Sequence, residues 1–157
     1  DLPNKLKVGA MVETPSLAFS IDQLKGKADF LSIGTNDLMQ FFFAADRDNA
    51  RLAGRYDILS RPAMRLLQRM RQRADEADLP ITVCGEAAGR PLEALALIAL
   101  GYRQLSMQAA RIAPIKLIVR SVDASILAPR VQKALDAGDG SVRNAMLSIA
   151  NDFGVKI

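Results

Sequence analysis

Histidine is absent from these 157 residues, and cysteine occurs once, at Cys84. Without histidine the chain has no imidazole to act as a base, to bind a metal or to carry a phosphoryl group. A lone thiol cannot close an internal disulfide, which excludes the stapled scaffolds of small secreted domains and points to a reducing compartment, the cytoplasm. Aromatic residues make up 5% of the chain. The arginine-rich helix that carries Arg65, Arg69, Arg71 and Arg73 has no aromatic, so a nucleic-acid surface is not expected. No apolar run approaches the ~20 residues that span a bilayer, and the start, DLPNKLKVGAMVETP, is broken by Lys5 and Lys7. Neither a targeting segment nor a membrane partner is expected.

What is there is an ordinary globular composition: 50% hydrophobic and 24% charged residues, with ten glycines and seven prolines. A chain this long can bury roughly 68–70% of its unfolded surface, enough for one sizeable core. The net charge of +4 comes largely from arginines in apparent helices. Arg65, Arg69, Arg71 and Arg73 alternate with Leu66, Leu67, Met70 and Ala74 at helical spacing, which reads as a solvated face.

Strand and helix signals then alternate. KVGAMVE (Lys7 to Glu13) reads as a strand, and Thr14-Pro15 as the N-cap and first residue of a helix. FLSI (Phe30 to Ile33) reads as a second strand, and LMQFFFAA beyond GTND as a helix in the hydrophobic interior. A loop from about Asp46 to Ser60 leads to a long amphipathic helix from Arg61 to about Ala77. LPITVCGE supplies the third strand, followed by a helix over Pro91 to Ala99, and QLSM (Gln104 to Met107) a fourth. An alanine-rich helix then runs to about Val122, and Ile126 to Ala137 and Val142 to Phe153 read as two more helices. Repeated strand-helix units imply parallel strands with right-handed crossovers, in a doubly wound sheet or a (β/α) barrel.

In either architecture the polar residues after each strand gather at the carboxyl edge of the sheet, where sites are built. Glu13 and Asp37 end adjacent units. As hard oxygen donors they suit Mg²⁺ or Mn²⁺, and equally they suit the positive start of a helix with no metal at all. Gly34-Thr35-Asn36-Asp37 can present backbone N–H groups to an anion, or be a plain N-cap. Cys84 can be a small buried hydrophobe. With an ordinary thiol pKa of about 8.5 it is mostly protonated near neutrality, so in a chain without histidine its chemical role would be that of an acid.

MVETP (Met11 to Pro15), SIGTNDLMQ (Ser32 to Gln40), AADRDN (Ala44 to Asn49), VCGEAAGRP (Val83 to Pro91) and LSM (Leu105 to Met107) occur in an order and spacing that resemble the phosphoenolpyruvate-utilising enzymes. The resemblance runs from about Lys7 to about Val122. AADRDN resembles the enzyme I branch, the phosphoenolpyruvate-protein phosphotransferases, and LMQFFFAADRDN with GYRQLSM resembles its nitrogen-system members. The chain departs from the family pattern at Met39 and Phe42, and in LSMQA where the family has LSMSP.

The resemblance implies the C-terminal half of a (β/α)8 TIM-type barrel over residues 1–122, with a helical tail over 123–157. It implies Mg²⁺ or Mn²⁺ held by Glu13 and Asp37, and Asn36 against the phosphoryl group. It places substrate along Thr35, Asn36 and Asp37, sets Arg47 on the substrate carboxylate, and makes Cys84 the acid that protonates the pyruvate enolate. Implied partners are phosphoenolpyruvate and pyruvate, an HPr-like phosphocarrier protein and a second copy in a homodimer of the full-length protein. The family's phosphate-gripping arginines and its phosphorylated histidine lie upstream, so the fragment alone is expected to be inactive. Two rivals remain: a pyruvate phosphate dikinase or phosphoenolpyruvate synthase barrel, or a non-catalytic dimerising or regulatory half barrel.

Overall fold

The computed structural model describes residues 6–46, 48–49, 51–52, 57–138, 141–155 and 157. A parallel sheet lies at its centre, with β1 (Gly9–Val12), β2 (Phe30–Gly34) and β3 (Ile81–Cys84) adjacent in that order. Val12 pairs with Ile33, and Ile33 with Val83, so the three strands end level. Alternation drives the strands: Leu31 and Ile33 of β2 and Ile81 and Val83 of β3 are buried, while Ser32, Thr82 and Cys84 between and after them are half-buried.

The expected fourth strand is reduced to one parallel bridge, Leu105 to Val83. Two hydrogen bonds hold it: the Val83 amide donates to Gln104 O at 3.0 Å and the Ser106 amide to Val83 O at 2.8 Å. Among the described residues nothing pairs with its other side.

Helices follow each strand. Pro15 opens α1 (Pro15–Ala18), where its fixed φ and missing N–H suit the first turn. The turn is short and passes into a 3-10 turn at Ile21–Leu24. Next come α2 (Thr35–Phe42), α3 (Arg61–Glu76), a 3-10 turn at Glu86–Gly89, α4 (Pro91–Ala99) and α5 (Ala109–Ser121). Helix α2 is amphipathic rather than interior: Leu38 and Met39 are buried, whereas Phe41 is 55% exposed.

Helices α6 (Ala124–Asp136) and α7 (Val142–Asp152) complete the chain. Their Leu127, Val131, Leu135, Val142 and Met146 join the same core as α4, whose residues Leu92 to Ile98 are all buried. That docking changes the meaning of the arginine-rich face of α3. Arg61 donates to Ala134 O at 3.3 Å and Arg65 to Leu135 O at 3.2 Å, satisfying carbonyls near the end of α6. Part of the face read as solvated is therefore an interface with the tail.

Candidate active site at the carboxyl edge of the sheet

The level strand ends bring the singled-out residues to one edge. Glu13 follows β1, Thr35 to Asp37 form the first turn of α2 directly after β2, and Cys84 closes β3. Two glycines let these groups converge. A Cβ at Gly34 would lie 2.6 Å from Glu13 Oε1, so the carboxylate rests over the end of β2 because position 34 has no side chain. Gly85, at φ 95°, takes a backbone conformation that side-chain-bearing residues avoid. A Cβ there would lie 2.5 Å from Thr35 Oγ1 and 3.3 Å from Asn36 Oδ1.

Of the two readings of this turn, the plain N-cap by Thr35 or Asn36 is not made. Gly34 occupies the cap position of α2 with no side-chain cap. The Thr35 hydroxyl instead donates across the sheet to Cys84 O at 2.8 Å, pinning α2 to the end of β3. Thr35 is buried and Asn36 half-buried, and the first amides of α2 have no side-chain cap to compete with an incoming anion.

Cys84 is half-buried, with Sγ 3.1 Å from Ile33 O. A carbonyl oxygen can only accept, so in this contact the thiol is the donor. Glu13 and Asp37 are both half-buried at this edge. Among the described residues no three His, Cys, Asp or Glu side chains cluster, so these two carboxylates offer a sparse oxygen set. Arg47 lies outside the described residues.

The next cavity along this edge, of about 520 Å³, extends from Asn36 and Gly85 to Ser106 and Gln108, polar residues that follow the fourth strand signal, and to Arg111, which sequence reasoning missed. The signal was the polar Gln108 in LSMQA, just before α5.

A parallel sheet that gathers carboxylates, an amide, uncapped helix amides and a thiol at its carboxyl edge has the arrangement in which α/β proteins build their ligand sites. The chain belongs to the phosphoenolpyruvate-utilising enzymes, matching the PEP-utilising enzyme, PEP-binding domain over residues 2–124. It is 39% identical over 133 residues to the "Phosphoenolpyruvate-dependent phosphotransferase system" of Salmonella typhimurium strain LT2, covering 85% of this chain and 18% of that protein. To the "Phosphoenolpyruvate-protein phosphotransferase" of Cupriavidus necator it is 37% identical over 142 residues, covering 90% of this chain and 24% of the relative. "Multiphosphoryl transfer protein 1" of Escherichia coli K12 is 31% identical over 143 residues, or 91% of this chain and 17% of its own length. The chain thus spans about a fifth of the length of these relatives. Among the described residues no helix is long and apolar enough to cross a membrane.

Proposed function

We propose that the chain is the substrate-binding C-terminal part of a phosphoenolpyruvate-protein phosphotransferase, of the nitrogen-system type, in which phosphate passes from phosphoenolpyruvate to a histidine supplied by the longer protein and then to an HPr-like carrier. The observation that carries the reading is the strand register, which sets Glu13, the Thr35–Asp37 turn and Cys84 side by side at one sheet edge. The longer protein is read as a cytoplasmic homodimer. Residues 1–122 are read as half of a (β/α)8 barrel and 123–157 as its tail. The open side of β1, where Met11 is 46% exposed, and the unpaired side of Leu105 suit continuation of the sheet by upstream strands.

Glu13 and Asp37 would hold Mg²⁺ or Mn²⁺. Two carboxylates leave most of the shell to water and substrate, as such ions favour in phosphoryl transfer. Bound there, the cation would neutralise charge on phosphoryl and enolate oxygens. The Thr35 and Asn36 region receives the substrate at the start of α2, with the Asn36 amide toward the phosphoryl group, and Arg47 grips the carboxylate as a bidentate fork.

Cleavage of the phosphorus–oxygen bond leaves the enolate of pyruvate and hands the phosphoryl group to the histidine. The enolate carbon C3 then takes a proton. Cys84 supplies it: the S–H bond breaks, the new C–H bond forms at C3, and the thiolate regains a proton from solvent. For delivery the thiol must turn away from Ile33 O, a change of side-chain rotamer within the protonated state.

The proposal is tested in the longer enzyme by phosphoenolpyruvate-dependent phosphorylation of its histidine. Label transferred to histidine and on to a carrier protein supports it, and a folded enzyme that binds no phosphoenolpyruvate contradicts it. The 157-residue chain alone, with no histidine, is expected to form no stable phosphoenzyme.

A further inference from the structure

We propose that Arg111, on the first turn of α5, is a phosphoryl-gripping residue of this site, so that the chain contributes its own cation for the phosphate of phosphoenolpyruvate. The inference rests on the proposed substrate and extends it to a side chain outside the residues singled out in the sequence. Asn36, the amide assigned to the phosphoryl group, lines the cavity of about 520 Å³ that Arg111 also lines. Ser106 and Gln108 face the same space with a hydroxyl and an amide.

Charge decides what the cavity suits. Its only lining carboxylate among the described residues, Glu86, is paired with Arg90 at 2.9 Å. That leaves Arg111, whose guanidinium has no hydrogen bond or ion pair among the described residues. The stem is seated: a Cβ at Gly89 would lie 3.2 Å from Arg111 Cβ and Cγ, so the glycine makes room for it. A fixed stem, an uncompensated guanidinium and three neutral hydrogen-bonding side chains make a site for an oxyanion, and the planar fork of arginine matches two phosphoryl oxygens.

Titration calorimetry of the longer enzyme with Mg²⁺ against phosphoenolpyruvate and against pyruvate separates the possibilities, because only the first carries phosphate. Arg111→Ala is expected to weaken phosphoenolpyruvate about tenfold and leave pyruvate unchanged, with Arg111→Lys intermediate. Arg47→Ala, at the proposed carboxylate grip, should weaken both. Circular dichroism confirms that each variant is folded, as expected for substitution of an exposed residue. Unchanged phosphoenolpyruvate affinity in Arg111→Ala, with both ligands weakened by Arg47→Ala, overturns the inference and leaves the substrate reading standing. Equal weakening of both ligands by Arg111→Ala overturns the phosphoryl assignment. If the folded wild-type longer enzyme binds neither ligand, or binds both without regard to Arg47, Glu13 or Arg111, the substrate reading and the inference fall together.

Discussion

Arginine behaves in opposite ways at the two ends of this molecule. At the docked tail, Arg143 of α7 donates to both oxygens of Asp57, at 2.7 and 2.9 Å, and to Glu93 at 2.8 Å. Glu93 is a charged side chain of the core, 5% exposed. At the sheet edge Arg111 is exposed and has no such partner among the described residues. At the tail Arg143, Asp57 and Glu93 settle their charges against one another inside the chain, which helps to hold the helix pair in place. Polar groups at the strand ends keep capacity open: the first amides of α2 have no side-chain cap. Paired charge marks the docked tail, and uncapped amides with an uncompensated guanidinium mark the proposed site.

The contrast can be broken from either side. In the longer enzyme, Glu13→Gln and Asp37→Asn should each lower phosphoenolpyruvate-dependent autophosphorylation by about 10²–10³-fold, the several kcal/mol a bound cation supplies. Melting temperatures should stay near wild type, and wild-type rates at limiting Mg²⁺ would remove the pair from the mechanism. Gly85→Ala should cost about 1–3 kcal/mol of stability by thermal melting, because it combines a positive φ with a collision against the Thr35 hydroxyl. Unchanged melting would show that the strand end adapts freely.

Arg143→Met should destabilise by about 2 kcal/mol, below the 3–5 kcal/mol of a fully buried pair because Arg143 is itself 38% exposed. Adding Glu93→Gln should recover part of the loss by removing the stranded carboxylate. The same pair sets an acid dependence. Burial pushes the Asp57 carboxyl up, but hydrogen bonds from Arg143 and the Leu59 amide and the Arg143 charge outweigh it and hold the carboxyl below its ordinary 3.8. A lowered native pKa contributes stability that is complete above the unfolded value and lost as pH falls through the native one. The wild-type advantage over Arg143→Met should therefore be flat from pH 7 to about 5 and shrink in stronger acid. Arg65→Ala should do least, under about 1 kcal/mol, since Arg65 and Asp136 are each more than half exposed.

The regular elements were legible because their signals are local. The apolar spacing of α3 and the prolines opening α1 and α4 mark helices whatever surrounds them. The run ITVC marks β3 in the same way. The grouping of Glu13, Asn36, Asp37 and Cys84 at one edge followed from strand order, since parallel strands end on the same side. What depends on distant partners was not legible. Nothing near Thr35 says that its hydroxyl leaves the cap for Cys84 O, 49 residues on. Nothing near Arg61 and Arg65 announces that α6 will dock against them, because a docking face and a solvated face can carry the same arginines. Leu105 looked like part of a strand by composition, but among the described residues it makes only a single bridge, to Val83.

The central claim is that Cys84 protonates the enolate, and turnover and melting temperature measured on one preparation of Cys84→Ala in the longer enzyme test it most directly. The account predicts pyruvate formation slowed by about 10²–10⁴-fold, as for loss of a positioned general acid, little rescue by Cys84→Ser, and phosphoenolpyruvate binding and melting close to wild type. Full turnover per folded molecule together with a lowered melting temperature would make the thiol a packing residue and contradict the account.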